Sequence, residues 1–173
     1  MKIYLVRHAD ADAELPEGLG DDARALTSKA RGAVLRHFID LAPRVGKVGA
    51  IFTSPLVRTV QTAQLLSLAI RHEGPLKAHR SLLPDMPVGS VDALISQHLG
   101  EDLVLVGHQP SMGALASHLL GMQSFPRPVN PGTVIGLDRP DELSSRSGHE
   151  TPVPVVATLQ FYAAPGQPVL ETL

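Results

Sequence analysis

Three short apolar runs recur along this chain, each followed by a polar turn and then a helical pattern. They are residues 3–6 (Ile-Tyr-Leu-Val), 48–53 (Val-Gly-Ala-Ile-Phe-Thr) and 103–106 (Leu-Val-Leu-Val). None alternates polar with apolar side chains. A strand of that kind has both faces covered, which is the condition of a parallel sheet between layers of helix. The segments between the runs fit those layers. Thr27 is placed as an N-cap, after which Ala30, Val34, Leu35, Phe38 and Leu41 recur at helical spacing, and that helix is expected to stop before Pro43. Ser54 and Pro55 read as the cap and first position of a second helix, with Leu56, Val60, Ala63, Leu66 and Ile70 as its inner stripe. Residues 77–82 give a weak third strand. Residues 89–99 read as a short helix ended by Gly100, with Val91, Leu94, Ile95 and Leu99 inward. His108-Gln109-Pro110-Ser111 lead into a last helix that runs through Leu120 and that Gly121 ends. The expected fold is therefore α/β, a three-layer α/β/α sandwich with a mostly parallel sheet.

The tail departs from that rhythm. Residues 133–137 and 155–162 read as two further strands, hairpin-like, which would add an antiparallel C-terminal strand. The polar stretch 138–154 between them reads as a long mobile loop. With 173 residues, one domain spanning 1–173 is expected.

Composition removes several functional classes. Hydrophobic residues make up 43% and charged residues 18%, which fits a folded globular chain rather than a disordered one. The net charge of −2 leaves no global nucleic-acid footprint, so any anion site must be a local cluster of basic groups. There is no cysteine, hence no disulfide, cysteine-based zinc site or cysteine nucleophile. No apolar run approaches the roughly 20 residues needed to span a membrane. The start of the chain lacks a signal-peptide pattern, and a cytoplasmic location is expected.

In an open α/β sheet, ligands bind beyond the carboxyl ends of the strands. Arg7 and His8 follow the first strand there. Ser54 and Pro55 follow the second, with Arg58 about one helical turn into the next helix. Gly107 and His108 follow the strand at 103–106. Two guanidinium groups, two imidazoles and the positive ends of two helices would then converge on one spot, and a phosphoryl group is the ligand that calls for them. A neutral imidazole can attack phosphorus. The planar forks of Arg7 and Arg58 can grip the equatorial oxygens, and His108 can donate a hydrogen bond or carry charge. Phosphoryl transfer asks a protein mainly for such positioning and charge stabilisation, and no metal or cofactor is implied.

The segments carrying these groups resemble the motifs of the histidine phosphatase superfamily, which includes phosphoglycerate mutases and acid phosphatases. Leu5-Val6-Arg7-His8-Ala9 is similar to its signature. Ser54-Pro55-Leu56-Val57-Arg58-Thr59-Val60-Gln61-Thr62-Ala63 is similar to its second arginine motif, and Val106-Gly107-His108-Gln109-Pro110 to its second histidine motif. The resemblance covers residues 1–121 well and the tail loosely. It implies a phosphoglycerate mutase-like fold in which His8 accepts the phosphoryl group and Arg7, Arg58 and His108 complete its pocket. Arg58 and His108 are 50 positions apart (108 − 58), too close for the helical cap that mutases and acid phosphatases insert there. The chain is in this respect similar to the small, capless SixA type, implicated in removing phosphate from phosphohistidine on signalling proteins.

Two departures stand out. Ala9 replaces the usual Gly, tolerable if the backbone angle there is ordinary and costly if it is left-handed. The mid-chain Glu that often serves as proton donor is missing from residues 82–87 (Leu-Leu-Pro-Asp-Met-Pro). Asp10 and Asp85 are the candidate donors, with Asp10 preferred for its closeness to His8. The remaining histidines, His37, His72, His79, His98, His118 and His149, show no metal-ligand spacing. The acids Asp12, Glu14, Glu17, Asp21 and Asp22 read as a solvated loop. The expected function is a phosphatase with a phosphohistidine intermediate, acting on a histidine-phosphorylated protein. The alternatives are a small-phosphoester phosphatase or mutase, and a phosphate-binding module without turnover. Nucleic acid and membrane are not expected as partners.

Overall fold

A computed structural model describes residues 1–15, 17–140 and 155–173. The elements follow in the order β1 (Lys2–Arg7), α1 (Ser28–Val45), β2 (Ala50–Thr53), α2 (Val57–Ala69), β3 (Leu76–Ala78), α3 (Val88–Ser96), β4 (Leu103–Gly107), α4 (Ser111–Leu119), β5 (Val134–Asp138) and β6 (Thr158–Ala163). One six-stranded sheet runs β3-β2-β4-β1-β5-β6. Strands β3, β2, β4 and β1 are parallel, β5 is antiparallel to β1, and β6 is antiparallel to β5. The expected sandwich and the antiparallel C-terminal addition are both present. The stretch expected as a mobile loop lies, over 141–154, outside the described residues.

The apolar strands alternate between two cores. Tyr4, Val6, Ile51, Val104 and Val106 face α1 and α2. Ile3, Leu5, Phe52, Leu103 and Leu105 face α3 and α4. Both faces being buried explains why no polar alternation marks these strands. The chain places α1 and α2 on one face and α3 and α4 on the other. The reversal falls between β1 and β4, whose carboxyl ends therefore form the crevice of the sheet.

Several boundaries differ from the sequence reading, each for a physical reason. Thr27 does cap α1, its hydroxyl accepting from the Ala30 N–H at 3.0 Å. The helix then continues through Pro43 to Val45. Proline there frees only the carbonyl of Ile39, which stands on the exposed face. The last turn is held by buried Leu41 and Val45 and by the Tyr4 hydroxyl, which donates to the Val45 carbonyl at 3.0 Å and that of Arg44 at 3.3 Å. Helix α3 ends at Ser96, so Leu99 lies beyond it and is exposed rather than inward. The third strand is shorter and earlier than 77–82. After Ala78 the chain makes a 3-10 turn, Arg80–Leu82, fastened by the ring of His79 to the Ser81 N–H.

Helix α2 departs most. It begins at Val57 with Leu56 in the cap position and no side-chain cap. Ser54 is instead held to the sheet through its N–H to the Val106 carbonyl at 2.9 Å. The hydroxyl of Thr59 closes the turn by donating to the carbonyls of Ser54 and Leu56, at 2.9 and 2.7 Å. Of the expected stripe, Ala63 and Leu66 are buried and Ile70 packs partly buried against the same core, while the rest of the buried face is Arg58, Thr59 and Thr62 rather than Leu56 and Val60.

Candidate active site

Three loops meet at the carboxyl ends of β1, β2 and β4, and backbone hydrogen bonds fix them to one another. The His8 N–H donates to the Gly107 carbonyl at 3.0 Å, and the Arg7 N–H to that of Thr133 at 3.1 Å. The N–H of Gly132, a residue at φ +80°, is shared between the carbonyls of Arg7 and His8. A β-carbon at Gly107 would lie 2.7 Å from the methyl of Met112, so glycine lets α4 pack directly beneath the loop that carries His108.

The cleft above these loops has a volume of about 460 Å3. Arg7, His8, Asp10, Arg58 and His108 all line it, together with Asp21, Arg24 and Gln109. The four groups expected to hold a phosphoryl group, Arg7, His8, Arg58 and His108, thus reach one site, and Asp10 with them. Asp85 does not: it is exposed and absent from the lining, where its neighbour Pro84 stands instead.

His8 is oriented by its own backbone. Its Nδ1 lies 2.7 Å from the Ala9 carbonyl, an acceptor, so the proton sits on Nδ1 and the Nε2 lone pair is left over. Burial pushes its pKa down to about 4. The Ala9 carbonyl opposes this, and the charges of Arg58, Arg7 and Arg24 add to it. The ring is therefore neutral at pH 7, as a nucleophile must be. Ala9 has no positive φ, since Arg71 is the one such non-glycine residue described, so alanine costs nothing there. Its N–H donates to the hydroxyl of Thr62 at 3.1 Å, which ties the nucleophile's loop to α2.

The ring of His108 stands edge-on to that of His8, with centroids 5.2 Å apart. Its Nε2 is 2.9 Å from the Ser54 hydroxyl. Ser54 is thus a partner of the second histidine rather than a helix cap. Burial, then His8 and Arg58, lower the pKa of His108 to about 3, with Asp21 opposing. His108 is a neutral hydrogen-bonding group in this state.

Both motif arginines are braced. Arg7 donates through Nη1 to the Val129 carbonyl at 2.8 Å. Arg58 is 4% exposed, a buried cation that needs a counter-charge. Asp21 supplies it: Arg58 Nη2 is 2.9 Å from its Oδ2, and Nη1 donates to its backbone carbonyl at 2.8 Å. Arg24 Nη2 meets the other carboxylate oxygen at 2.9 Å. The Nε atoms of Arg7, Arg24 and Arg58 are buried without a hydrogen-bond partner. A ligand with several anionic oxygens is what such donors suit.

Sequence reasoning missed Arg24 and Asp21. Arg24 drew no notice, and Asp21 passed as one acid among several in a solvated loop. The available signal was an arginine set directly before the Leu26-Thr27 helix entry. Their roles depend on that loop folding back: the Thr27 N–H donates to the Asp10 carbonyl, the Asp12 N–H to that of Ala25, and Gln61 on α2 accepts from the Leu26 N–H.

No protein-family model matches the chain. It is 32% identical over 145 residues to a protein of Picosynechococcus sp., a match covering 79% of this chain and 84% of that one, and the two belong to one family. Among solved structures it is similar to the protein histidine phosphatase SixA in complex with tungstate, with a TM-score of 0.79 at 19% identity over 95% of this chain and 97% of that one. The putative phosphohistidine phosphatase SixA of Agrobacterium tumefaciens gives 0.74 at 21% identity, again over 95% and 97%. A putative alpha-ribazole-5′-P phosphatase of Escherichia coli gives 0.66 at 18% identity, over 92% and 94%.

Proposed function

We propose that this chain, by fold a member of the histidine phosphatase superfamily, is a phosphatase that works through a phosphohistidine intermediate on His8. The observation that carries the reading is the orientation of His8: neutral, with its Nδ1 proton fixed on the Ala9 carbonyl and Nε2 left over, in a cleft with three arginines. Nε2 attacks phosphorus, and the bond to the leaving group breaks. Arg7 and Arg58 hold the equatorial oxygens and His108 donates to them. Water then hydrolyses the phosphoenzyme and regenerates neutral His8. Asp10 is the acid on the cleft wall for the leaving group, since Asp21 is engaged by two arginines.

The substrate we favour is phosphohistidine presented on a protein. Among the described residues, no helix between Arg58 and His108 covers His8. Helix α3 buries Val91, Leu94 and Ile95 in the core it shares with α4 and contributes no residue to the cleft. A side chain standing on another protein can enter such an opening. The similarity to SixA structures supports the same choice. A small phosphoester is the second reading, because a cleft of about 460 Å3 is of small-molecule size.

Phosphate release from a histidine-phosphorylated protein, compared between wild type and His8→Ala, tests the proposal. Release by wild type alone is expected. Cleavage of an aryl phosphate without release from the protein would move the assignment to a small phosphoester. Phosphate binding without turnover of either substrate would make the site a binding module.

A further inference from the structure

The contact between Asp21 and the two arginines sets a carboxylate where a phosphoryl dianion would be received. Both Nη atoms of Arg58 are engaged by Asp21, one through its carboxylate and one through its backbone carbonyl. The second carboxylate oxygen holds Arg24, 2.9 Å away. The side chain is 63% exposed, against 5% for Arg58, so the anion stands at the solvent side of a buried cation. Asp21 belongs to a 3-10 turn of three residues, Asp21–Ala23, that buries nothing and has no side-chain cap. Among the described residues, the turn's first residue is fastened by its ion pairs with Arg58 and Arg24, by the Arg58 bond to its carbonyl and by the Arg24 N–H, which donates to the same carbonyl at 3.2 Å. Burial raises the Asp21 pKa, but the charges and hydrogen bonds of Arg58 and Arg24 bring it below its ordinary value, so the carboxylate is ionised throughout the neutral range.

Resting on the phosphatase reading, we infer that Asp21 is a resident anion of the phosphate pocket. It neutralises Arg58 and Arg24 when no substrate is bound and competes with the phosphoryl group for them. Two physical effects act in the same direction. Asp21 occupies two of the five guanidinium hydrogens of Arg58, and phosphoryl oxygens gain those two only by displacing it, while Nε–H stays open to them. A carboxylate lining the cleft also repels a dianion whether or not it moves. The benefit lies on the other side of the reaction. A pocket with three arginines would retain inorganic phosphate, and a carboxylate ready to reclaim Arg58 and Arg24 favours its departure. Asp21 is in this sense an affinity-setting residue, distinct from the groups that touch the reacting phosphorus.

The test is inorganic phosphate binding, measured by calorimetry on wild type and on Asp21→Asn. The substitution is nearly isosteric at an exposed position, and Arg58 keeps its bond to the residue 21 carbonyl, so the guanidinium stays aimed. Loss of one exposed counter-charge should tighten phosphate by about twofold to fivefold. Product inhibition should strengthen by the same factor. Asp21→Ala should shift affinity in the same direction. Equal or weaker phosphate binding in Asp21→Asn would overturn the competing role and make Asp21 a brace for Arg58. Absence of phosphate binding in both wild type and Asp21→Asn would overturn this inference, whereas the phosphatase reading itself falls only with absence of turnover on a histidine-phosphorylated protein and on an aryl phosphate.

Discussion

Helices α2 and α4 flank the same cleft from opposite faces of the sheet, and their buried sides have opposite characters. Helix α4 turns Met112, Leu115, Ala116 and Leu119 inward together with Gly113 and Ser117, whose hydroxyl donates to the helix's own Gly113 carbonyl. Helix α2 turns in Arg58, Thr59 and Thr62 and only two apolar residues, Ala63 and Leu66. Each buried polar side chain on α2 has a partner near the site, with only the Nε of Arg58 left unpaired. Thr62 accepts from the Ala9 N–H and donates to the Arg58 carbonyl at 2.7 Å. Thr59 secures the Ser54 turn, and Ser54 meets His108. One helix therefore shapes the chemistry and forgoes hydrophobic burial. The other supplies burial and keeps β4, with the loop bearing His108, in place.

The comparison breaks most sharply at the residue both helices serve. His8→Ala should reduce turnover by on the order of 10^4 to 10^6, as loss of a nucleophile does elsewhere, and leave the thermal midpoint near that of wild type. An active His8→Ala protein would exclude the covalent mechanism. Leu115→Ala on α4 should do the reverse. Leu115 is fully buried, and its truncation should cost about 2–4 kcal/mol in denaturant unfolding with turnover per folded molecule nearly unchanged. If that variant were as stable as wild type yet inactive, the division of labour between the helices would be wrong. Thr62→Val on α2 sits between the two. It leaves the Ala9 N–H buried without an acceptor, at a cost of about 1–2 kcal/mol. The carbonyl that orients His8 belongs to the same residue, so kcat should fall about tenfold as well. A stability loss with unchanged kcat would show that α2 braces the fold alone.

The same contrast explains what could be read from the sequence. Helix α4, α1 and the central strands were legible because one physical demand, apolar burial, sets their pattern. The motif residues were legible because Arg7, His8, Arg58 and His108 lie at strand ends or one turn beyond, where chain order already implies convergence. Helix α2 misled because its inward side answers two demands at once, and a hydrophobic stripe detects only one. Ser54 looked like a cap because serine before proline commonly is one; its use as a His108 partner depends on β4 lying beside β2, a long-range fact. Asp21 and Arg24 were illegible for a similar reason. No periodicity governs the loop that carries them, and their meaning comes from Arg58, which is more than 30 residues away in sequence and which Asp21 meets at 2.9 Å, Asp21 in turn holding Arg24. Pro43 shows the opposite error, a local rule overridden by the Tyr4 hydroxyl and the burial of Val45.

Acid should sharpen the comparison further, because the cleft side of the molecule holds its most perturbed histidines. His8 and His108 have folded pKa values of about 4 and about 3, below the ordinary 6.5. Their neutral forms are favoured by folding, so the unfolded chain binds more protons wherever the pH lies between those values and 6.5. Stability then rises with pH across that window and is lost as pH falls through it. Urea midpoints from pH 7 down to 4.5 should therefore decline, and decline less steeply in His8→Ala, which removes one of the two groups. In Leu115→Ala the curve should be lower but parallel to that of wild type, since no titrating group has changed. Activity reports the same group differently. The acid limb of kcat/KM follows protonation of free His8 and should fall well below pH 6.5, toward 4. An acid limb at 6.5, or a His8→Ala stability slope equal to that of wild type, would mean that His8 is not held neutral by burial in this cleft. The orientation of Nε2 would then carry the nucleophilic role without help from a lowered pKa.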